Sequence, residues 1–115
     1  MDKIYEQTML FDFYGELLTE HQRSVYEDAV YHDLSLSEIA EDRGISRQGV
    51  HDLVRRCDKI LQDYESKLHL VERFAKAKKT IAEIEQTALM TDDPKEMQER
   101  LQSIKKLSHE LLEEL

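Results

Sequence analysis

Residues 36–55 read LSEIAEDRGISRQGVHDLVR, which is the pattern of two short helices joined by a tight turn. Two helices cross closely only where a small side chain lies between them, and Ala40 supplies it. The turn requires a residue that tolerates a positive φ, and Gly44 meets that requirement. The candidate core of this motif consists of Ile39, Ala40, Gly44, Ile45, Val50 and Leu53. The stretch therefore predicts a helix-turn-helix.

Residues suited to helix capping stand before each helix of this motif. Ser35 is followed three residues later by Glu38, which is the spacing of a capping box. Ser46 has a side chain that accepts a hydrogen bond from the first turn of the second helix. With these caps, the predicted motif extends over residues 35–56.

The segments upstream of the motif also have helical patterns. Residues 3–18 hold a dense group of apolar side chains and predict a buried helix. Thr19 and Gln22 have the spacing of a second capping box, so another helix should follow. Asp33-Leu34 is expected to end that helix before the motif begins.

The segment from residue 47 to residue 90 contains no proline, and its apolar residues recur at a seven-residue spacing. The members of this stripe are Val50, Cys57, Tyr64 and Val71. The pattern fits one long helix or two consecutive helices, and we favour a break near residues 66–69.

A clear start signal precedes the last helix. Asp93 can cap it, Pro94 suits the first helical position, and Glu96 is expected to complete a capping box. The connection before it, Thr91-Asp92, is so short that the neighbouring helices should be antiparallel.

These elements predict an all-α protein, with a helix-turn-helix domain over residues 1–66 and a C-terminal helical hairpin over residues 67–115. The last helix carries an apolar stripe formed by Met97, Leu101, Ile104, Leu107, Leu111, Leu112 and Leu115. The hairpin can bury this stripe against the first helix, giving a monomer, or against a second copy of the chain. We favour the homodimer, because paired recognition helices suit duplex DNA.

The composition of the chain indicates in which cellular compartment the protein is expected. No run of about 18 apolar residues is present, so no membrane span is expected. The N-terminus has neither the basic segment nor the apolar stretch of a secretory signal. Cys57 is the single cysteine, which fits a reducing cytoplasm.

Charge is distributed unevenly along a chain whose net charge is −9. Residues 43–59 hold five basic and two acidic side chains, whereas both flanking segments are acidic. In a helix-turn-helix, Arg47 and Gln48 suit the edges of guanine and adenine. The basic side chains Arg43, Arg55, Arg56 and Lys59 suit backbone phosphates. The candidate nucleic-acid-binding residues are Arg43, Ser46, Arg47, Gln48, His51, Arg55, Arg56 and Lys59. The alternative is that the motif is a packing unit that only docks protein.

Nothing in the sequence indicates catalysis. The five histidines and the single cysteine lack zinc-site spacing, and no glycine-rich phosphate loop or nucleophile elbow is present. We therefore expect a binding or regulatory protein without a metal or a cofactor, and not an enzyme.

Two family resemblances rest on these residues. The segments LTEHQR (18–23), LSLSEIA (34–40) and GISRQGV (44–50) resemble region 4 of sigma-70-type factors, a promoter-reading helix-turn-helix. The segment LFDFYGELLT (10–19), together with LSLSEIA and SRQGV (46–50), resembles the bacterial YlxM family more closely. The YlxM resemblance covers residues 3–70 well.

The resemblances have functional implications. YlxM-like proteins are small cytoplasmic proteins with a proposed regulatory role in the signal recognition particle pathway. The sigma resemblance implies DNA contacts by Arg47, Gln48, His51 and Arg55. Two hypotheses follow. The first is nucleic-acid binding, to DNA or to the particle RNA; the second is an adaptor whose hairpin docks on the particle GTPase.

Overall fold

The computed structural model describes residues 3–114, within which the regular elements are helices and there is no strand. The elements are α1 (Lys3–Tyr14), a 3-10 turn (Gly15–Leu17), α2 (Glu20–Val30), α3 (Leu36–Arg43), α4 (Arg47–Leu68), α5 (Leu70–Thr87) and α6 (Pro94–Glu114). This confirms the all-α prediction. Leu115, the last member of the predicted apolar stripe, lies outside the described residues.

The predicted capping boxes at α2 and α3 are confirmed. The Thr19 hydroxyl accepts a hydrogen bond from the Gln22 N–H, and the Gln22 side chain accepts one from the Thr19 N–H. Ser35 and Glu38 form the same reciprocal pair at α3. Gly44 ends α3 with a φ of +66°, in the left-handed region where glycine carries no Cβ penalty.

The chain forms two compact units, Met1–Val71 and Glu72–Leu115. In the first unit, α4 is the central helix and packs against α1, α2 and α3. Its inner face buries Val50, Cys57 and Leu61 completely. One core cluster joins α1, α2 and α4 through Leu10, Tyr14, Leu18, Tyr26, Cys57 and Leu61. This core fixes the outer face of α4 relative to α1.

The predicted break in the long helical segment is confirmed. His69 adopts a φ of +57° and separates α4 from α5. Tyr14, which is only 1% exposed, holds this junction: its hydroxyl donates to Glu65 Oε1 at 2.5 Å and accepts from the Leu70 N–H at 3.1 Å. Glu65 Oε1 also accepts from the Val71 N–H at 3.0 Å. The first amides of α5 therefore obtain partners from α1 and α4.

The second unit contains α5 and α6, which flank an open groove of about 650 Å³. Helix α5 ends at Thr87, so the connection spans residues 88–93, and the two-residue connection predicted from the sequence is wrong. Asp93 caps α6 by accepting from the Lys95 N–H at 3.0 Å. The predicted box through Glu96 is not formed, because the Asp93 N–H donates to Thr91 Oγ1 instead.

None of the helices over residues 3–114 combines the length and the apolar character needed to cross a membrane.

Candidate nucleic-acid interface

The helix-turn-helix is formed by α3, the turn at residues 44–46, and the first half of α4. Ile39 and Val50 are 0% exposed and form a second core cluster with Val25 of α2. The partly buried side chains that pack against this cluster include Ala40, Ile45, Leu53 and Val54. The six predicted core residues therefore lie at the crossing of α3 and α4 or, for Gly44, in the turn between them.

The first turn of α4 is shaped by its cap. Ser46 Oγ accepts a hydrogen bond from the Gly49 N–H at 2.9 Å, as the capping prediction requires. A Cβ on Gly49 would lie 3.0 Å from that same oxygen, which is tighter than ordinary van der Waals contact. Glycine at this position therefore lets the cap approach closely, at the cost of a weaker helical preference.

Four exposed basic side chains lie on α4 between residues 47 and 59, where they are available for a ligand. They are Arg47, Arg55, Arg56 and Lys59. Among residues 3–114, none of the four forms a hydrogen bond or an ion pair. Since no neighbouring carboxylate satisfies these charges, they can meet a polyanion without first breaking an internal contact.

The polar groups between these cations are partly engaged with each other. Gln48 Nε2 donates to Asp52 Oδ1 at 3.0 Å, one helical turn further on. The Nδ1 atom of half-buried His51 is shielded from solvent, and no hydrogen bond to it forms within the described chain. It lies 3.7 Å from Asp52 Oδ1. Because its amide nitrogen is bonded to Asp52, Gln48 must release Asp52 before it can pair with both N6 and N7 of an adenine.

Arg43 differs from the other seven candidate residues, which belong to α4 or its cap. Its guanidinium is partly buried and donates at 2.7 Å both to Asp28 Oδ2 and to Ser24 Oγ on α2. A hydrogen bond from His32 and the contact with Arg43 lower the pKa of the Asp28 carboxyl. The guanidinium therefore ties α3 to α2 and is not presented freely to a phosphate.

A depression of about 450 Å³ extends the exposed face of α4 towards α1. It is lined by Lys3, His51, Arg55, Asp58, Lys59 and Gln62. Lys3 and Gln62 are not among the residues predicted from the sequence. The helical spacing of Gln62 from Arg55 and Lys59 could have indicated its place on this face, but no local signal brings Lys3 to α4.

Cys57 belongs to the core and not to this surface. It is 0% exposed, and burial, reinforced by the charge of Asp58, raises the pKa of its thiol to about 11. Reactive thiols need the opposite environment, one that favours the thiolate. Over residues 3–114, no cluster of three or more histidine, cysteine or carboxylate side chains is arranged to hold a metal ion.

Comparison with known proteins extends the sequence resemblance. The model of the UPF0122 family, helix-turn-helix proteins described as "YlxM / p13 like", matches residues 1–108. A UPF0122 protein from Clostridium botulinum is 52% identical over 83 residues, covering 70% of this chain and 74% of the relative. A UPF0122 protein from Acetivibrio thermocellus is 40% identical over 114 residues, covering 90% of this chain and 97% of the relative. A UPF0122 protein from Bacillus mycoides is 37% identical over 110 residues, covering 93% of this chain and 98% of the relative.

Proposed function

This chain belongs to the UPF0122 family of YlxM/p13-like helix-turn-helix proteins, and on that premise we propose that it is a cytoplasmic regulatory protein that binds nucleic acid through α4. The observation that supports the proposal is the set of exposed, unpaired cations on the second helix of the motif. Residues 1–42 hold only two basic side chains against eleven acidic ones. Such a concentration of unpaired positive charge in an acidic chain suits a localised polyanion contact.

The mechanism is equilibrium binding without chemistry. Arg47 and Gln48 occupy the first turn of α4, where helix-turn-helix proteins contact base edges in the major groove. Arg55, Arg56 and Lys59 follow in later turns of the helix and suit backbone phosphates. Because phosphate neutralisation releases counterions, the binding constant should fall steeply as salt rises.

The resemblance to YlxM adds a biological setting and a second ligand. It implies a role in the signal recognition particle pathway, so the particle RNA is a candidate alongside duplex DNA. Both ligands present phosphates, and they differ in groove geometry, because the major groove of an RNA helix is too narrow for a helix to read. Parallel assays with both therefore distinguish groove reading from backbone binding.

The test is a triple charge reversal, Arg47→Glu, Arg55→Glu and Arg56→Glu. We expect affinity for the preferred nucleic acid to fall at least about 100-fold, and the slope of log K against log salt to shrink by roughly 0.9 for each phosphate that is no longer neutralised. Fluorescence anisotropy at salt concentrations between 50 and 200 mM measures both quantities. Over this range, a protein that makes six to ten phosphate contacts loses affinity by about 10³–10⁵.

A matched control reverses three exposed lysines elsewhere, Lys67→Glu, Lys95→Glu and Lys105→Glu, giving the same change in net charge. This control should retain most of the affinity. Equal reductions in both triple variants would show that only net charge matters and would contradict a localised site. If neither nucleic acid binds the unmodified protein while the particle GTPase does, the adaptor hypothesis replaces this one.

We also propose that the unit Glu72–Leu115 pairs with a second copy of the chain. Within residues 72–114 no side chain is fully buried, and units of this size rarely stabilise a core alone. Exposed apolar side chains lie on both helices, for example Ile81 at 46% and Leu101 at 62%. The groove carries both charge signs, with Lys79 and Glu83 on α5 and Lys106 and Glu110 on α6. A surface with both signs can be self-complementary under two-fold symmetry, with the lysines of one copy opposite the glutamates of the other.

Sedimentation equilibrium tests this pairing. We expect a mass twice the 13.6 kDa of the chain, and a shift to the monomer in the Ile81→Asp, Leu101→Asp double variant. Leu17→Asp, which introduces one aspartate at an exposed leucine of the first unit, should leave the dimer intact. A monomeric unmodified protein at micromolar concentration would disprove the dimer. Circular dichroism checks that α5 and α6 stay helical in each variant.

A further inference from the structure

We infer that the depression between the start of α1 and the outer face of α4 is a binding site for a nucleic-acid backbone phosphate, with Lys3 as a ligand. This inference rests on the proposed nucleic-acid binding and adds to it a second helix and a defined contact. The depression contains the side chains of Lys3, Arg55 and Lys59, together with His51 and Gln62. Three cations converge here from two separate helices.

The cations in the depression are unsatisfied by the protein. Over residues 3–114, Lys3, Arg55 and Lys59 form no ion pair and no hydrogen bond. Three like charges around one concavity repel each other, so the arrangement favours an anion that neutralises them. Gln62 adds an amide that can donate to an oxygen of that anion.

The single carboxylate among the lining residues, Asp58, already accepts hydrogen bonds from α1 and α2. Gln7 Nε2 donates to both of its oxygens, at 3.0 and 3.2 Å. The Tyr26 hydroxyl donates to Oδ1 at 2.5 Å. These bonds direct the carboxylate towards α1 and α2 and leave it without an ion pair to Arg55 or Lys59. Asp58 therefore weakens the positive field of the depression less than a free carboxylate would.

The position of the depression along α4 favours a backbone phosphate as the occupant. His51, Arg55, Lys59 and Gln62 follow each other at three- and four-residue intervals, so they share one face of the helix. That face begins one turn after Arg47 and Gln48, the residues proposed to reach base edges. When the N-terminus of a recognition helix enters a groove, its later turns approach the flanking backbone. Lys3 would hold α1 against the same strand.

The inference is tested with Lys3→Ala, since Lys3 lies outside the face tested by the triple reversal. We expect a fall of about three- to tenfold in affinity for a short labelled duplex, and a salt slope smaller by about 0.9, the value for one phosphate that is no longer neutralised. Lys3→Arg should restore both quantities because it keeps the charge. Lys67→Ala removes an exposed lysine of α4 outside the depression and should change neither.

The possible outcomes are distinct. If Lys3→Ala binds like the unmodified protein while the triple reversal weakens binding, the depression is not a phosphate site and the proposed function stands. If the unmodified protein binds no nucleic acid, both proposals fail together. If added inorganic phosphate at constant ionic strength displaces the duplex from the unmodified protein but not from Lys3→Ala, the site accepts a free phosphate group as well as a phosphodiester. Affinity tags are placed at the C-terminus so that α1 is unaltered.

Discussion

Ile39→Ala should lower the free energy of unfolding by about 2–5 kcal/mol, the usual cost of removing most of a buried aliphatic side chain. Ile39 is 0% exposed and lies between Val25 of α2 and Val50 of α4. Truncation leaves a cavity where three helices meet, and the side chains around it are anchored on different helices. Collapse around the cavity would require α3 to move, so little of the lost stability should be recovered.

Urea unfolding followed by far-UV circular dichroism measures this effect. The control is Ile4→Ala, because Ile4 is 56% exposed on α1 and its truncation should change stability by no more than about 0.5 kcal/mol. Equal, small changes in the two variants would contradict the proposed packing of α3 on α4. If Ile39→Ala is destabilised as expected, it should also bind nucleic acid more weakly at temperatures where the motif begins to unfold.

The helix-turn-helix could be predicted from sequence because each of its signals is local. A capping box depends on residues three positions apart, such as Ser35 and Glu38. The turn depends on the φ of the single residue Gly44. The break predicted near residues 66–69 lies close to its observed position at His69, although the left-handed φ of a histidine gives no sequence signal.

Several contacts that the sequence could not predict join distant segments. Gln7 and Asp58 are separated by 51 positions, and their hydrogen bond depends on how α1 lies against α4. The charge pattern groups Arg43 with the other basic residues of its segment, yet its partner Asp28 lies on α2, fifteen positions earlier. A count of charges along the chain treats a paired and an unpaired arginine alike. Lys3 likewise reaches the candidate site only because α1 packs against α4 in the folded chain.

The prediction for the connection between α5 and α6 is wrong for a local reason. Helical propensity continues through Ala88, Leu89 and Met90, and no glycine marks the end of α5. The hydroxyl of Thr91 then competes with Glu96 for the N–H of Asp93 and forms the observed bond. Two residues suited to the same donor cannot be ranked from spacing alone.

Tyr26→Ala is expected to destabilise the protein by about 3–5 kcal/mol, the range for removing a buried aromatic side chain. Tyr26 is 0% exposed, stacks on Phe11 at a centroid distance of 5.6 Å, and donates its hydroxyl hydrogen to Asp58. Burial and this carboxylate raise the pKa of Tyr26 well above its usual value, so the hydroxyl keeps its proton and remains a donor at neutral pH.

Tyr26→Phe removes the hydroxyl and keeps the ring, so it distinguishes the contribution of the ring packing from that of the hydrogen bond to Asp58, a residue that lines the candidate site. The ring packing is kept, so the cost in stability should fall to about 1–3 kcal/mol, the penalty for a partly buried acceptor that is left without one of its donors. Asp58 keeps Gln7 but becomes free to turn towards Arg55 or Lys59, which would reduce the positive field of the depression. Nucleic-acid affinity should therefore drop in Tyr26→Phe under conditions in which circular dichroism shows it to be fully folded. Unchanged affinity in a folded Tyr26→Phe variant would show that the hydroxyl serves the core alone.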